Sequence, residues 1–90
     1  MTREKQENTV EPVDTGMNGS SLILFNDEHN TFEFVIETLM RVCGHTAEQA
    51  EQCAIIAHMK GRCGIRSGDR SELMPLHRQM LDLGLTTSIE

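Results

Sequence analysis

The sequence is short of aromatic residues and has no long apolar run. Its 90 residues include no Trp, no Tyr and three Phe, and 38% of them are hydrophobic. A chain of this size can bury one small core, so we expect one domain, and a small core is a poor setting for an enzyme that must enclose its substrate. No stretch of about 18 consecutive apolar residues is present, which argues against a membrane-spanning helix.

Positive charge is also scarce. The formal net charge is −6 at pH 7, from eight Lys and Arg against 14 Asp and Glu. Residues 1–20 carry two basic and four acidic side chains, and residues 21–90 carry six and ten. Neither part therefore offers the positive field that nucleic-acid binding requires. The amino-terminal stretch is polar and acidic, unlike the basic start and apolar middle of a secretory signal, so we expect a cytoplasmic protein.

The chain has three cysteines, Cys43, Cys53 and Cys63, so any intramolecular disulfide leaves one thiol over. We expect reduced, mostly buried thiols. His45 and His58 make a small Cys/His metal or redox protein an alternative, but the spacings C-x₂₋₄-C and H-x₃₋₅-H are absent, so we expect no metal and no other cofactor. An enzyme is disfavoured further because no nucleophile–base pair or phosphate-binding loop is recognisable.

Two parts of the chain differ in character. Residues 1–20 are mostly polar, and their few apolar side chains follow no repeating period, which predicts a flexible tail. Residues 21–90 are predicted to form the domain. It begins with an apolar run at residues 22–25, whose β-branched and aromatic members favour a strand that is buried on at least one side.

Two helices are predicted to follow this strand. Apolar residues at spacings of three and four indicate a first helix over residues 31–43, with Asn30 as its capping residue. Thr46 begins a second capping motif, which predicts a helix over residues 46–60 that Gly61 ends. The two helices are joined by only two or three residues.

The sequence pattern is less regular in the second half of the domain. Residues 62–66 favour a short, weak strand, residues 67–70 a turn, residues 71–83 a third helix and residues 85–89 a last strand. The resulting β-α-α-β-α-β order predicts an α+β fold, a two-layer sandwich in which a small three-stranded sheet packs against three helices.

Four polar side chains stand at two ends of these elements. Asn26, Asp27 and Glu28 follow the first strand, and His58 lies near the end of the second helix. Amide, carboxylate and imidazole groups accept hydrogen bonds, so together they would bind a cation with several N–H donors, such as the free amino terminus of a peptide. Taken singly, Asn-Asp after a strand is typical of a turn, and a His at a helix end is typical of a cap.

From residue 22 to residue 61 the sequence resembles the ClpS family of adaptors for the ATP-dependent Clp protease. The family has an Asn-Asp-Asp run, a Glu-Phe-Val helix and a His-x-x-Gly helix ending. Here they read Asn-Asp-Glu at 26–28, Glu-Phe-Val at 33–35 and His-Met-Lys-Gly at 58–61. The resemblance implies a non-catalytic adaptor that binds the free amino terminus and bulky hydrophobic first residue of N-degron proteins and delivers them to the Clp ATPase–protease.

The resemblance also implies roles for particular residues. Asn26, Glu28 and His58 would hold the α-amino group, with Asp27 beside them. Phe32 would stand at a gatekeeper position that is usually Met in the family and rejects β-branched first residues. The pocket for the first side chain would be lined by Leu24, Phe25, Asn30, Phe32, Val35, Ala54, Ala57 and Leu85.

The implied partners are N-degron proteins or peptides and the amino-terminal domain of the Clp ATPase. In the family, part of the surface that docks on this domain follows the second helix, and Glu72 and His77 are candidates for it. The chain departs from the family pattern at Glu28, where Asp is usual, and at Phe32. A ClpS-like regulator of the ATPase with lost or altered N-degron specificity is therefore the alternative.

Overall fold

The computed structural model describes residues 19–90. The predicted β-α-α-β-α-β order and the α+β class are confirmed. The elements are β1 (Gly19–Phe25), α1 (Phe32–Cys43), α2 (Ala47–Lys60), β2 (Arg62–Asp69), α3 (Arg70–Asp82) and β3 (Thr86–Ile89). Of the predicted tail, residues 1–18 lie outside the described residues, whereas residues 19–20 belong to β1. No helix in the described range is long and apolar enough to cross a membrane.

The three strands form one antiparallel sheet in the order β2-β1-β3. The middle position explains the composition of β1, because this strand has a neighbour on each side and helices over one face. Leu22, Ile23 and Leu24 are accordingly all buried. The pairing of β1 with β2 shifts between Leu22 and Ile23 and then continues to the end of the strand, where Phe25 lies opposite Arg62.

The strand β2 is longer than predicted. The turn expected at residues 67–70 is wrong, because residues 67–69 pair with residues 19–21 of β1 and α3 begins directly afterwards at Arg70. The local composition favours a turn, but the backbone hydrogen bonds to a neighbouring strand outweigh this weak preference. The extension of β2 also explains why β1 begins at Gly19, two residues before the predicted domain boundary.

The core lies between the sheet and the three helices. Its fully buried side chains include Leu22 and Leu24 from β1, Leu39 from α1, and Leu73 and Met80 from α3. The contribution of α2 is different, because its buried residues are all alanines, at positions 50, 54 and 57. Alanine side chains are small, so they allow a helix to lie close to its neighbours. Where a neighbouring element does not approach the helix closely, they leave unfilled volume.

The predicted capping residue is confirmed for α2 but is wrong for α1. The capping box of α2 is confirmed, since Gln49 N donates to Thr46 Oγ1 and Thr46 N donates to Gln49 Oε1. Asn30 does not cap α1. Thr31 does so, accepting from Phe34 N at 3.0 Å.

Gly61 ends α2 in a left-handed conformation with φ +92°. We expect Gly61→Ala to lower the free energy of unfolding by about 1–2 kcal/mol, because a Cβ is unfavourable in this region. Gly64→Ala is the matched control: its Cβ would make only an ordinary contact, 3.8 Å from Ile23 Cδ1. Urea denaturation of the two variants measures the difference, and equal losses would contradict the conformational argument.

Candidate functional site

A cavity of about 450 Å³ opens where the end of β1, the β1–α1 loop, α1 and α2 meet. Eleven of the twelve residues predicted for the site line it. They are Leu24, Phe25, Asn26, Asp27, Glu28, Asn30, Phe32, Val35, Ala54, Ala57 and His58. The twelfth, Leu85, is not among the lining residues and instead belongs to the buried core, with 2% of its surface exposed.

The walls of the cavity are apolar. Leu24 and Phe25 come from β1, Val35 from α1, and Ala54 and Ala57 from α2. The volume exists because α2 presents methyl groups at the two positions where larger side chains would fill the space. Its size falls within the range of small-ligand pockets and is sufficient for one bulky hydrophobic side chain.

The mouth of the cavity is polar and consists of acceptors. Asn26, Glu28 and His58 are exposed, and within residues 19–90 their side chains make no hydrogen bond. An amide oxygen, a carboxylate and an imidazole nitrogen are groups that can accept hydrogen bonds from a ligand. This arrangement suits a compact cation with several N–H donors.

Asp27 organises the loop that carries these acceptors. Its Oδ1 accepts from His29 N and Asn30 N, both at 2.9 Å, and from Asn30 Nδ2 at 3.1 Å. Asn30 Nδ2 also lies 3.0 Å from Asp27 Oδ2 and donates to Gly84 O at 2.9 Å, which ties the loop to the α3–β3 turn. Because the amide nitrogen of Asn30 is engaged in this way, its oxygen is the group left for the cavity.

The loop is also tied to the end of α2. Asn26 N donates to Gly61 O at 3.0 Å, directly after the pairing of β1 with β2 ends. Gly61 lies three residues after His58, so this bond holds the start of the loop beside the last turn of α2. It explains how residues 26–28 and residue 58, distant in the sequence, border one cavity.

The hydrogen bonds in the loop affect the acidity of Asp27. Partial burial by itself would raise its pKa, but the bonds from the Asn30 side chain and from the Asn30 and His29 backbone outweigh burial, and the nearby His29 ring acts in the same direction. The pKa of Asp27 therefore lies below its ordinary value. A carboxylate with this many donors stays ionised and contributes negative charge near the mouth.

This shift predicts a pH-dependent stability. The unfolded pKa of Asp27 is higher than the folded one, so its stabilising effect is fully present above the unfolded value and is lost as the pH falls through the folded value. We expect Asp27→Asn to lower the thermal midpoint at pH 7 and to reduce the loss of stability between about pH 5 and pH 3. Glu51→Gln, at an exposed position of α2, is the control, and the same pH profile in all three proteins would contradict the role of Asp27.

Sequence reasoning missed one supporting residue, Arg62. Its guanidinium lies 5.3 Å from the centre of the Phe25 ring and forms an ion pair with Glu90. A cation over a ring face holds the ring in place, and Phe25 is part of the cavity wall. The signal is the register that places Phe25 opposite Arg62, which the sequence alone does not reveal.

The residues considered for other sites have structural contacts. His45 Nε2 lies 2.8 Å from Ile65 O, and His77 Nδ1 lies 2.7 Å from Thr87 Oγ1. Glu72 accepts from Asp69 N at the start of α3. Across residues 19–90 no three or more His, Cys, Asp and Glu side chains are grouped so as to hold a metal ion.

The family described as "ATP-dependent Clp protease adaptor protein ClpS" matches residues 18–87. The chain belongs to the ClpS family. The ClpS adapter protein of Serratia proteamaculans is 29% identical over 79 residues, which cover 86% of this chain and 71% of that protein. The ClpS adapter protein of Edwardsiella ictaluri is 37% identical over 54 residues, which cover 58% of this chain and 51% of that protein.

The ClpS fold is also found by comparison with a solved structure. Agrobacterium tumefaciens ClpS2, solved bound to L-phenylalaninamide, superposes with a TM-score of 0.78 at 22% sequence identity. The match covers 81% of this chain and 95% of that chain. It therefore includes nearly the whole ClpS2 chain.

Proposed function

We propose that the protein is an adaptor of the ATP-dependent Clp protease that binds the free amino terminus and the bulky hydrophobic first residue of N-degron proteins. It then delivers them by docking on the amino-terminal domain of the Clp ATPase. The observation that carries this proposal is the 450 Å³ apolar cavity with acceptor groups at its mouth. Membership of the ClpS family supports the adaptor role.

The chemistry of the mouth favours an ammonium group. A protonated amino terminus has three donors, and the oxygen of Asn26, the carboxylate of Glu28 and a ring nitrogen of His58 are three acceptors. Hydrogen bonds to a charged group contribute about 1.5–3 kcal/mol each. An acetylated terminus has no charge and only one donor, so it would leave acceptors unpaired and lose most of this energy.

The apolar walls favour a large first side chain. Burial of a Leu or Phe side chain contributes about 1.5–3 kcal/mol, which adds to the binding of the amine after the loss of translational freedom is subtracted. The ligand of ClpS2, L-phenylalaninamide, combines a free amine with a Phe side chain. Both groups have a counterpart in this cavity, the first at the polar mouth and the second at the apolar walls.

Peptide binding tests the proposal directly. We expect peptides that begin with Leu or Phe to bind when their amino terminus is free. Acetylated peptides should bind more weakly by a factor of about ten or more, since one charge-assisted hydrogen bond corresponds to about a factor of ten in affinity. His58→Ala should weaken the free peptides by a similar factor. His29→Ala is the matched control, because His29 is exposed on the same loop but does not line the cavity.

Fluorescence anisotropy with labelled peptides measures these affinities. Equal binding of free and acetylated peptides would refute recognition of the amino terminus. Binding to the ATPase domain without any binding of peptides would instead support the regulator alternative.

Phe32 is expected to control which first residues enter. It lies at the cavity with 41% of its surface exposed, so its removal should not disturb the core. Phe32→Ala should leave Leu peptides bound and improve binding of Ile and Val peptides. The large Phe32 side chain narrows the entrance and excludes β-branched side chains, whereas Ala would widen the entrance and admit them. Met40→Ala is the control, being equally exposed on the same helix but away from the cavity; unchanged ranking in the Phe32 variant would contradict the gating role.

A further inference from the structure

Cys53 on α2 and Cys63 on β2 lie at the interface between these two elements. Both side chains are half-buried and pack against the same apolar core. The chain reverses at Gly61, so that α2 and β2 pack against each other. Cys53 stands seven residues before the end of α2, about 10 Å along a helix, and Cys63 stands three residues after it, about 10 Å along a strand.

Cys53 and Cys63 lie at similar distances from the end of α2, and each also lies on the face of its element that is directed toward the core. Cys53 follows Ala50 by three residues and precedes Ala57 by four, and both alanines are buried on the inner face of α2. Cys63 pairs with Leu24 of β1, and Leu24 is buried in the core between the sheet and the helices. Both cysteines therefore lie on the sides of α2 and β2 that face the core.

The two thiols lie close enough to change each other's acidity. Their interaction lowers the pKa of Cys53 against the opposing effect of burial, and it raises the pKa of Cys63 together with burial. The Cys63 thiol itself donates to Gly64 O, with its Sγ at 3.5 Å. Since the thiolate is the reactive form, Cys53 is the better nucleophile of the pair.

A small oxidant can reach Cys53 from outside. Cys53 forms part of the wall of a second, open cavity of about 380 Å³, together with His45, Glu48, Gln49 and Gln52. The third cysteine differs, because Cys43 is 97% buried, with 3% of its surface exposed, and burial raises its pKa. Cys43 thus serves as an internal reference for thiol reactivity.

We propose that Cys53 and Cys63 form a reversible disulfide that reshapes the neighbouring cavity. The oxidant is a peroxide. The Cys53 thiolate attacks one peroxide oxygen and becomes a sulfenic acid as water leaves. The Cys63 sulfur then attacks the Cys53 sulfur, which forms the S–S bond and releases a second water. In total, two thiols lose two electrons and two protons, and one hydrogen peroxide becomes two water molecules.

The bond would alter the cavity through α2. An S–S bond is about 2.05 Å long, much shorter than the contact distance of two sulfur atoms that are not bonded, so its formation draws α2 toward β2. Ala54 is the next residue after Cys53, and Ala57 and His58 follow within one and a half turns of the same helix. The effect on peptide binding rests on the proposed function, whereas the disulfide and the change in cavity shape do not.

Peptide mapping tests the disulfide. The full chain is treated with hydrogen peroxide, blocked with an alkylating reagent and digested with trypsin and a glutamate-specific protease. Glu48 and Glu51 separate Cys43 from Cys53, and Lys60 and Arg62 separate Cys53 from Cys63, so each cysteine lies on its own peptide. We expect a 53–63 cross-link that dithiothreitol removes. Three blocked thiols, or a cross-link to Cys43, would overturn the proposal.

Amide chemical shifts test the effect on the cavity without a peptide. Oxidation should shift the signals of Ala54, Ala57 and His58 in the wild-type protein and in Cys43→Ala, but not in Cys53→Ala or Cys63→Ala. A complete disulfide with unmoved cavity signals would refute the coupling. Because the wild-type protein is measured in both states, the result does not depend on the folding of any variant.

Peptide affinity in the two states then separates this proposal from the preceding one. We expect oxidation to weaken a free Phe peptide by about tenfold, since a packed site tolerates changes of shape poorly. Equal affinity in the two states would overturn the coupling. If neither state binds peptide, the adaptor function fails, and the cross-link and the cavity signals alone decide whether the thiol pair acts as proposed.

Discussion

The hydrogen bond from Asn26 N to Gly61 O is the contact on which the candidate site depends. It joins the residue after β1 to the residue after α2, so it fixes the loop of acceptors against the helix that carries His58. Gly61 can provide this carbonyl because its left-handed conformation turns the chain from α2 into β2. Without that turn, β2 would not continue the pairing with β1 up to Phe25, and the polar groups would have no common cavity to border.

The second constraint is the small size of the residues on α2. A helix whose buried face consists of alanines adds little to the core, and α1 and α3 supply the larger buried side chains instead. The same feature leaves the space into which a ligand side chain can enter. Stability and binding thus come from different parts of the domain, because Leu39, Leu73 and Met80 fill the core while Ala54 and Ala57 keep the cavity open.

The sequence predicts the elements and the approximate membership of the site, because both follow from local periodicity, capping residues and a resemblance with fixed spacing. It does not predict what depends on pairing between distant segments. Residues 67–69, which were predicted to lie in a turn, form part of a strand because they pair with residues 19–21 of β1. Asn30 did not cap α1 because Asp27 and Gly84 engage its side chain. Leu85 lies in the core and not at the cavity, and the contact of Arg62 with Phe25 required the strand register.

The loop and the helix contribute to the mouth in different ways. Asp27 has the most hydrogen bonds of the three loop residues, and those bonds are to its own loop, so its charge positions the acceptors and attracts a cation at longer range. Direct contact is left to Asn26, Glu28 and His58. Of these, His58 lies on a rigid helix that also carries Cys53, about 7–8 Å away along the axis. Any displacement of α2 at Cys53 is therefore transmitted to His58, while the loop stays tied to Gly84.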